Sequence, residues 1–552
     1  MKRKIFLVLA AIVLLGGWLR FWQLADYPVS LTIDEITIGY NAYSILKTAR
    51  DEHGQFLPLA FRSIGDYKPP ALIYLMVPVI GLFGLNEWGV RLTIALIGTL
   101  TIVFVYLLTR ELTKNKTIAL LTAFSLAISP WHIQFSRATF EAILALFFLI
   151  VGAWLFLRAM RQKGQFLWLA AVFLVLSMYS YHAERAVVPV LVFSLAVIFR
   201  RELWRWRKET GRAILIGLLL AAPLFNLMLG PEGRTRAQNA FLGRDYEIAG
   251  ELQWAKAFSG PLAAVFNSQP LILFNFWLKR YLDYWDLNFL FFDGLQLTQP
   301  GLPGIGLFHS FELILFLLGL WLVFFRSGWL GKKEKKVLTA WLLIGPLAAS
   351  VANNAQHPLR SLTAIPAPQI LVAFGGFWLL NCFRQQKRIR QMVALVLVSL
   401  VVVFSLIYYL DLYYVHYPIQ FSEFWDYGMK EIARYVWQHR DQYREVVIDP
   451  RFGTAGPTTV RAPYLYLLFY GRYDPWLFQN SPRRRVKTED SVDFENFTFR
   501  SIYWPTDRYR KNTLFVGSPW SLPQEDLVPQ QIKKEIRFKN DVLGFLIVAT
   551  GN

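Results

Sequence analysis

The sequence predicts a mainly α, polytopic membrane helix bundle followed by an extracytoplasmic α/β domain. Three observations predict it: long apolar blocks, basic loops at alternate block ends, and a change of pattern after residue 410. Hydrophobic residues fill 55% of the 552 positions and charged residues 17%. A soluble amphipathic helix keeps a polar face. Runs without one suit a hydrocarbon core, which about 20 apolar residues cross. Blocks at 5–22, 91–109, 140–157, 213–230, 308–325, 363–383 and 391–410 reach or approach that length. Shorter blocks at 117–131, 166–181, 186–199 and 337–351 fit spans enclosed by other helices. The 20 Trp and 25 Tyr suit two interfacial aromatic belts.

The net charge of +20 lies mostly between the apolar blocks, where it reads as topology rather than a nucleic-acid surface. Lys and Arg number three in 2–4, three in 110–116, three in 158–163, six in 200–212, five in 326–336 and four in 384–390. Loops 132–139, 182–185 and 352–362 carry one Arg each: Arg137, Arg185 and Arg360. The positive-inside rule puts the first set in the cytoplasm and the second outside. Eleven crossings satisfy this alternation, with the N-terminus inside and 411–552 outside. The apolar run after Lys2-Arg3-Lys4 is expected to be a membrane helix rather than a cleaved signal, since no small-residue cleavage site follows. The block 69–84 opens with Pro69-Pro70 and contains Pro78. Counting it as a crossing would force loop 110–116 outside against its charge, so it is expected to be interfacial. The single Cys382 excludes a disulfide within the chain.

Residues 1–410 thus form the expected membrane domain, with outer loops 23–90 and 231–307, and 411–552 the expected outer domain. In the latter, 423–438 has an amphipathic helical pattern and 462–471 suits a helix. Glu445-Val-Val-Ile-Asp449, 513–517, 532–538 and 542–549 read as strands.

Carboxylates near a membrane are costly unless paired, solvated or useful. Asp34-Glu35 follows the first apolar run and opens an amphipathic stretch to Lys47, where an Asp would also serve as a helix cap. Glu141 starts another helix, at a position that a helix dipole favours. The expected topology puts both on the outer face, with His182, Glu184, Arg185, His357 and Arg360, whereas the inner loops are almost purely basic. Lys68, directly before Pro69-Pro70, either snorkels at the interface or meets a lipid phosphate at headgroup depth. Neither a P-loop nor a GxGxxG element after a strand occurs.

Three motifs in order resemble the GT-C glycosyltransferases: Asp34-Glu35, then Lys68-Pro69-Pro70-Ala-Leu-Ile-Tyr74, then Glu87-Trp-Gly-Val-Arg91-Leu92. The branch is that of protein O-mannosyltransferases and lipid A aminoarabinose transferases. Ser129-Pro130-Trp131 through Glu141 is similar to the family's second outer loop, and His357-Pro-Leu-Arg360 through Pro366 to its late membrane-domain motif. The resemblance covers roughly 5–410. It implies inverting transfer of a hexose or pentose from a polyprenyl-phosphate carrier to a lipid, glycan or protein acceptor. In that reading Asp34 is the general base, and Glu35 and Glu141 assist it or position substrate. Lys68, Arg360, His357 and Arg137 hold the donor phosphate, and Tyr181, His182, Glu184 and Arg185 contact acceptor or sugar. Asp34 and Glu141 are the residues that would hold a divalent cation. Glu141 departs from the Asp found in many relatives by one methylene. A transporter or flippase for lipid-linked sugars is the alternative, but it calls for carboxylates near the bilayer midplane and repeated broken helices. A mere anchor for 411–552 needs far fewer crossings.

Overall fold

A computed structural model describes residues 2–231, 233, 246–257, 260, 265–294, 302–326, 328–352, 356–454, 456, 459–460, 462–488 and 491–551. Parts of the expected outer loop 231–307, of loops 326–336 and 352–362, and of the 411–552 domain lie outside these residues. Each of the eleven predicted apolar blocks forms helix. By length and composition, five helices among the described residues can cross a membrane: Arg3–Phe21, Glu87–Thr113, Glu141–Arg161, Arg207–Leu229 and Arg388–Phe421. A sixth is made by Lys116–Ile128 and Pro130–Ser136 if that pair, bent by 57°, is one span. The bend has a local cause, because Pro130 forces Ser129 into an extended conformation (ψ 118°) and ends the first helix. The other predicted blocks form Leu167–Ser180, Glu184–Ile198, Glu312–Phe325, Lys332–Ile344 and Ala367–Arg384, which fall short of that test. The chain is a multi-pass membrane protein.

Two compact units divide it. The first holds Met1–Trp22, Ile94–Ser136 and Phe140–Leu412. Its helices Glu312–Phe325 and Ala367–Arg384 touch backbone to backbone. A Cβ on Gly319 would meet the Leu371 carbonyl oxygen at 1.8 Å, and one on Gly375 the Leu315 oxygen at 2.1 Å. Small residues of this kind let membrane helices approach closely. Arg207–Leu229 and Arg388–Asp411 instead expose apolar side chains such as Leu218, Leu219, Phe404 and Ile407, as lipid-facing helices do.

The second unit joins Gln23–Thr93 and Arg137–Thr139 to Tyr413–Asn552. Its five-stranded sheet has the order Ile532–Arg537, Leu543–Ala549, Thr513–Gly517, Glu445–Ile448 and Phe497–Phe499, the first three pairing antiparallel and the last two joints parallel. Trp504, Phe515, Leu522, Leu546 and Val548 form a core on it. The predicted helix 423–438 is Met429–His439, because Gly428 takes a left-handed φ of 99° that starts it late. Helix Pro463–Tyr470 packs on helix Ile33–Thr48, where Gly39 leaves room for the Phe469 ring.

Candidate functional site

The helix that carries Asp34 starts two residues earlier than an Asp34 cap would require. Thr32 is its N-cap: Thr32 Oγ1 accepts the Glu35 N–H at 3.4 Å, and Glu35 Oε2 accepts the Thr32 N–H at 3.1 Å. This reciprocal capping box satisfies the free amides and relieves Asp34 of that task. Asp34 keeps half its side-chain surface (52%) exposed, and its Oδ1 lies 2.7 Å from the Lys68 ammonium, which is 15% exposed.

Glu35 is sealed in. It accepts from Arg91 Nε at 2.9 Å and Arg91 Nη2 at 3.2 Å, a bidentate pair, and from the Thr139 N–H at 3.1 Å and hydroxyl at 3.3 Å. Arg91, fully buried, spends its remaining donors on the carbonyls of Leu24 (3.1 Å), Pro28 (2.8 Å) and Ser30 (2.5 Å). One guanidinium thereby ties the segment before the helix to the carboxylate inside it. Asp426 adds a second tie, accepting the Ile33 N–H at 3.2 Å and the Tyr466 hydroxyl at 2.7 Å. Arg137, also fully buried, donates to the Tyr413 hydroxyl (3.1 Å) and the Tyr27 carbonyl (3.2 Å), with its guanidinium over the Tyr413 and Tyr414 rings.

Lys68 ends a two-stranded hairpin, Phe61–Ser63 with Asp66–Lys68, whose register pairs Phe61 with Lys68. Gly65 makes the turn at φ +63°. Pro70 then opens helix Pro70–Phe83 at a position where its missing N–H costs nothing. Tyr74 of that helix donates to the Pro58 carbonyl at 2.8 Å and meets the Phe61 ring edge-on, which holds the hairpin.

The remaining candidates belong to the first unit. Glu141 is buried at the start of Glu141–Arg161. Tyr181, His182, Glu184 and Arg185 occupy the turn between Leu167–Ser180 and Glu184–Ile198, with Glu184 buried and Arg185 donating to the Met178 carbonyl at 3.4 Å. His357 and Arg360 share a turn, the Arg360 N–H donating to the His357 carbonyl at 3.1 Å. The Tyr284 hydroxyl accepts the His357 N–H at 3.1 Å. Burial first, and Arg360 second, push the His357 imidazole down to about 4. Trp131 donates to the Pro358 carbonyl at 2.8 Å, so the Ser129–Glu141 and His357–Pro366 motifs meet.

Among the described residues no three His, Cys, Asp or Glu side chains gather as a metal-holding group. Sequence reasoning quoted Arg91 within a motif without giving it a partner, and it missed Thr139, Asp426 and Tyr466. It also missed Glu312, which is buried and accepts the Ser125 hydroxyl (2.5 Å) and the His309 N–H (3.0 Å). The only signal for Glu312 was a carboxylate at the head of an apolar run.

Residues 67–226 match the family described as dolichyl-phosphate-mannose-protein mannosyltransferase. A putative mannosyltransferase of Bacillus subtilis, YkcB, is 28% identical over 32% of this chain and 23% of its own length. An uncharacterized protein of Aquifex aeolicus is 29% identical over 38% of this chain and 41% of its own length. The matched region therefore spans less than half of either curated relative. Among solved structures, ArnT of Cupriavidus metallidurans in the apo state aligns over 99% of this chain and 98% of its own, at TM-score 0.51 and 12% identity. The archaeal oligosaccharyltransferase AglB of Archaeoglobus fulgidus, solved with an inhibitory peptide and a dolichol-phosphate, aligns over 85% of this chain and 64% of its own, at TM-score 0.50 and 14% identity. The chain thus shares the fold of ArnT over nearly its whole length, and over residues 67–226 it matches the mannosyltransferase family model.

Proposed function

We propose that the protein transfers a sugar from a polyprenyl-phosphate carrier to an acceptor at the outer membrane face, with Asp34 as general base. The observation that carries this reading is the half-exposed Asp34 carboxylate, paired with Lys68 and fixed by the buried Glu35–Arg91 lattice. An acceptor hydroxyl attacks the anomeric carbon from the side opposite the phosphate. The carbon–oxygen bond to the phosphate breaks, the proton passes to Asp34, and the carrier phosphate leaves with the electron pair. Lys68 neutralises Asp34 in the free protein. Binding of the donor moves its ammonium to the leaving phosphate, which frees the base and offsets the growing charge.

This division makes Glu35 a positioning residue, because both its oxygens are occupied by Arg91, Thr32 and Thr139. Arg137 is likewise read as a brace for the 23–27 segment, since its donors already serve Tyr413 and backbone carbonyls. Glu141, Arg360, His357, Tyr181, His182, Glu184 and Arg185 retain the donor, acceptor or metal roles that the resemblance assigns them. Eleven crossings, a cytoplasmic N-terminus, a membrane domain over 1–410 and an outer domain over 411–552 belong to the same proposal. The names of the matched family and relatives make mannose the first donor sugar to try, and the dolichol-phosphate of the archaeal structure supports a polyprenyl carrier.

The test is reconstitution of the whole chain in liposomes with radiolabelled polyprenyl-phosphate sugars and a mixed envelope extract as acceptor. Asp34→Asn should lower turnover by about 10²–10⁴-fold with the melting temperature unchanged. Wild-type turnover in Asp34→Asn would remove Asp34 as base. Vectorial movement of the lipid-linked sugar without transfer would favour the flippase.

A further inference from the structure

We propose that the second unit carries a cleft for the phosphoester headgroup of an anionic lipid, a site separate from the Asp34–Lys68 pair and independent of the transferase reading. The cleft measures about 840 Å³, within the size of small-molecule sites, roughly 300–1,000 Å³. Neither Asp34 nor Lys68 lines it.

Part of its lining is apolar and aromatic: Tyr414, Val415, Pro418 and Ile419, from the end of the apolar helical run Arg388–Phe421. Val415 and Ile419 leave about half of their surface uncovered, at 50% and 46%. Another part is basic, with Lys430 and Arg434 from helix Met429–His439, Lys534 from strand Ile532–Arg537, and Lys539 beyond it.

The charges do not cancel. Lys430 is paired with Glu87 at 2.6 Å and Lys534 with Glu431 at 2.7 Å. Arg434 and Lys539 form no ion pair among the described residues, and both are exposed. The remaining carboxylate of the lining, Asp26, is exposed and stands against two such cations. The Lys539 ammonium lies 5.0 Å from the Tyr427 ring centre and that of Lys534 5.7 Å from Tyr435, so rings steady both long side chains before any ligand arrives. The Lys534–Glu431 pair is itself half-exposed and exchanges readily for a stronger anion.

An Arg fork and a Lys point charge together suit a phosphate. The uncovered aliphatic side chains at the end of a membrane helix add a surface for the first carbons of acyl chains. That combination fits an amphiphile better than a free phosphorylated sugar.

The experiment is calorimetric titration of the full chain in maltoside micelles with dihexanoylphosphatidylglycerol. Dihexanoylphosphatidylcholine and glycerol 3-phosphate are the comparison ligands. We expect one saturable site for the anionic lipid, weakened at least tenfold in the double variant Arg434→Gln/Lys539→Gln and several-fold in Ile419→Ser. Melting curves should show the surface variants folded. Equal binding of the zwitterionic lipid, or wild-type affinity in the double variant, would overturn the site. Glycerol 3-phosphate binding as tightly as the lipid would overturn the lipid as its ligand.

Discussion

Asp34 and Glu35 are neighbours, yet one carboxylate meets solvent and Lys68 while the other is enclosed by Arg91 and Thr139. Removing one partner of a buried ion pair strands the other charge, at a cost of about 3–5 kcal/mol. Glu35→Gln should therefore lower the melting temperature sharply. Asp34→Asn breaks a partly exposed pair worth no more than about 1 kcal/mol and should leave melting almost unchanged. Equal melting of the two variants would contradict this division. His357 supplies a pH effect. Its imidazole is held down to about 4 by burial and then by Arg360, while the unfolded group titrates at about 6.5. The unfolded state thus binds the extra proton between these values, and stability falls as pH falls. Melting in detergent should be insensitive to pH above about 6.5 and drop steadily towards about 4, and His357→Asn should flatten that slope.

At the scale of elements, the crossing of Glu312–Phe325 and Ala367–Arg384 depends on two glycines with carbonyls against them. Gly319→Val should push these helices apart and cost about 1–3 kcal/mol as overpacking, read as a lower melting temperature and faster proteolysis. In the second unit the loop after strand Phe497–Phe499 is held by Arg500, which grips Asp507 with bonds of 2.8 and 2.7 Å, while Arg510 lies 3.2 Å away. Burial would raise the Asp507 carboxyl, but Arg500, the Tyr503 N–H and Arg510 outweigh it and hold it below its usual range. This stability is complete above about pH 4 and is lost as pH falls through the depressed value. Asp507→Asn should cost about 2 kcal/mol at neutral pH and converge with wild type in strong acid.

For the whole molecule, the basic loops make orientation testable. In a Cys382→Ser background, Gln530→Cys should react with an impermeant thiol reagent on intact cells, and Lys387→Cys only after permeabilisation. The reverse pattern would invert the topology. Apolar length, basic loops and strand alternation were enough to determine that the chain is a membrane helix bundle with a sheet after residue 410, because hydrophobic burial and charge placement are local properties of the chain. They also located Asp34 and Lys68, through the order of short motifs. That Thr32 rather than Asp34 caps the helix, that Glu35 answers to Arg91, and that 23–93 packs with 413–552 were decided only by tertiary structure. The partners of Glu35 and Ile33 lie 56 and 393 residues away, and no local pattern in a single sequence encodes which distant group meets a given carboxylate. The Asp34-Glu35 pair was legible as a candidate site; the separation of its two carboxylates into an exposed one and a buried one required the fold.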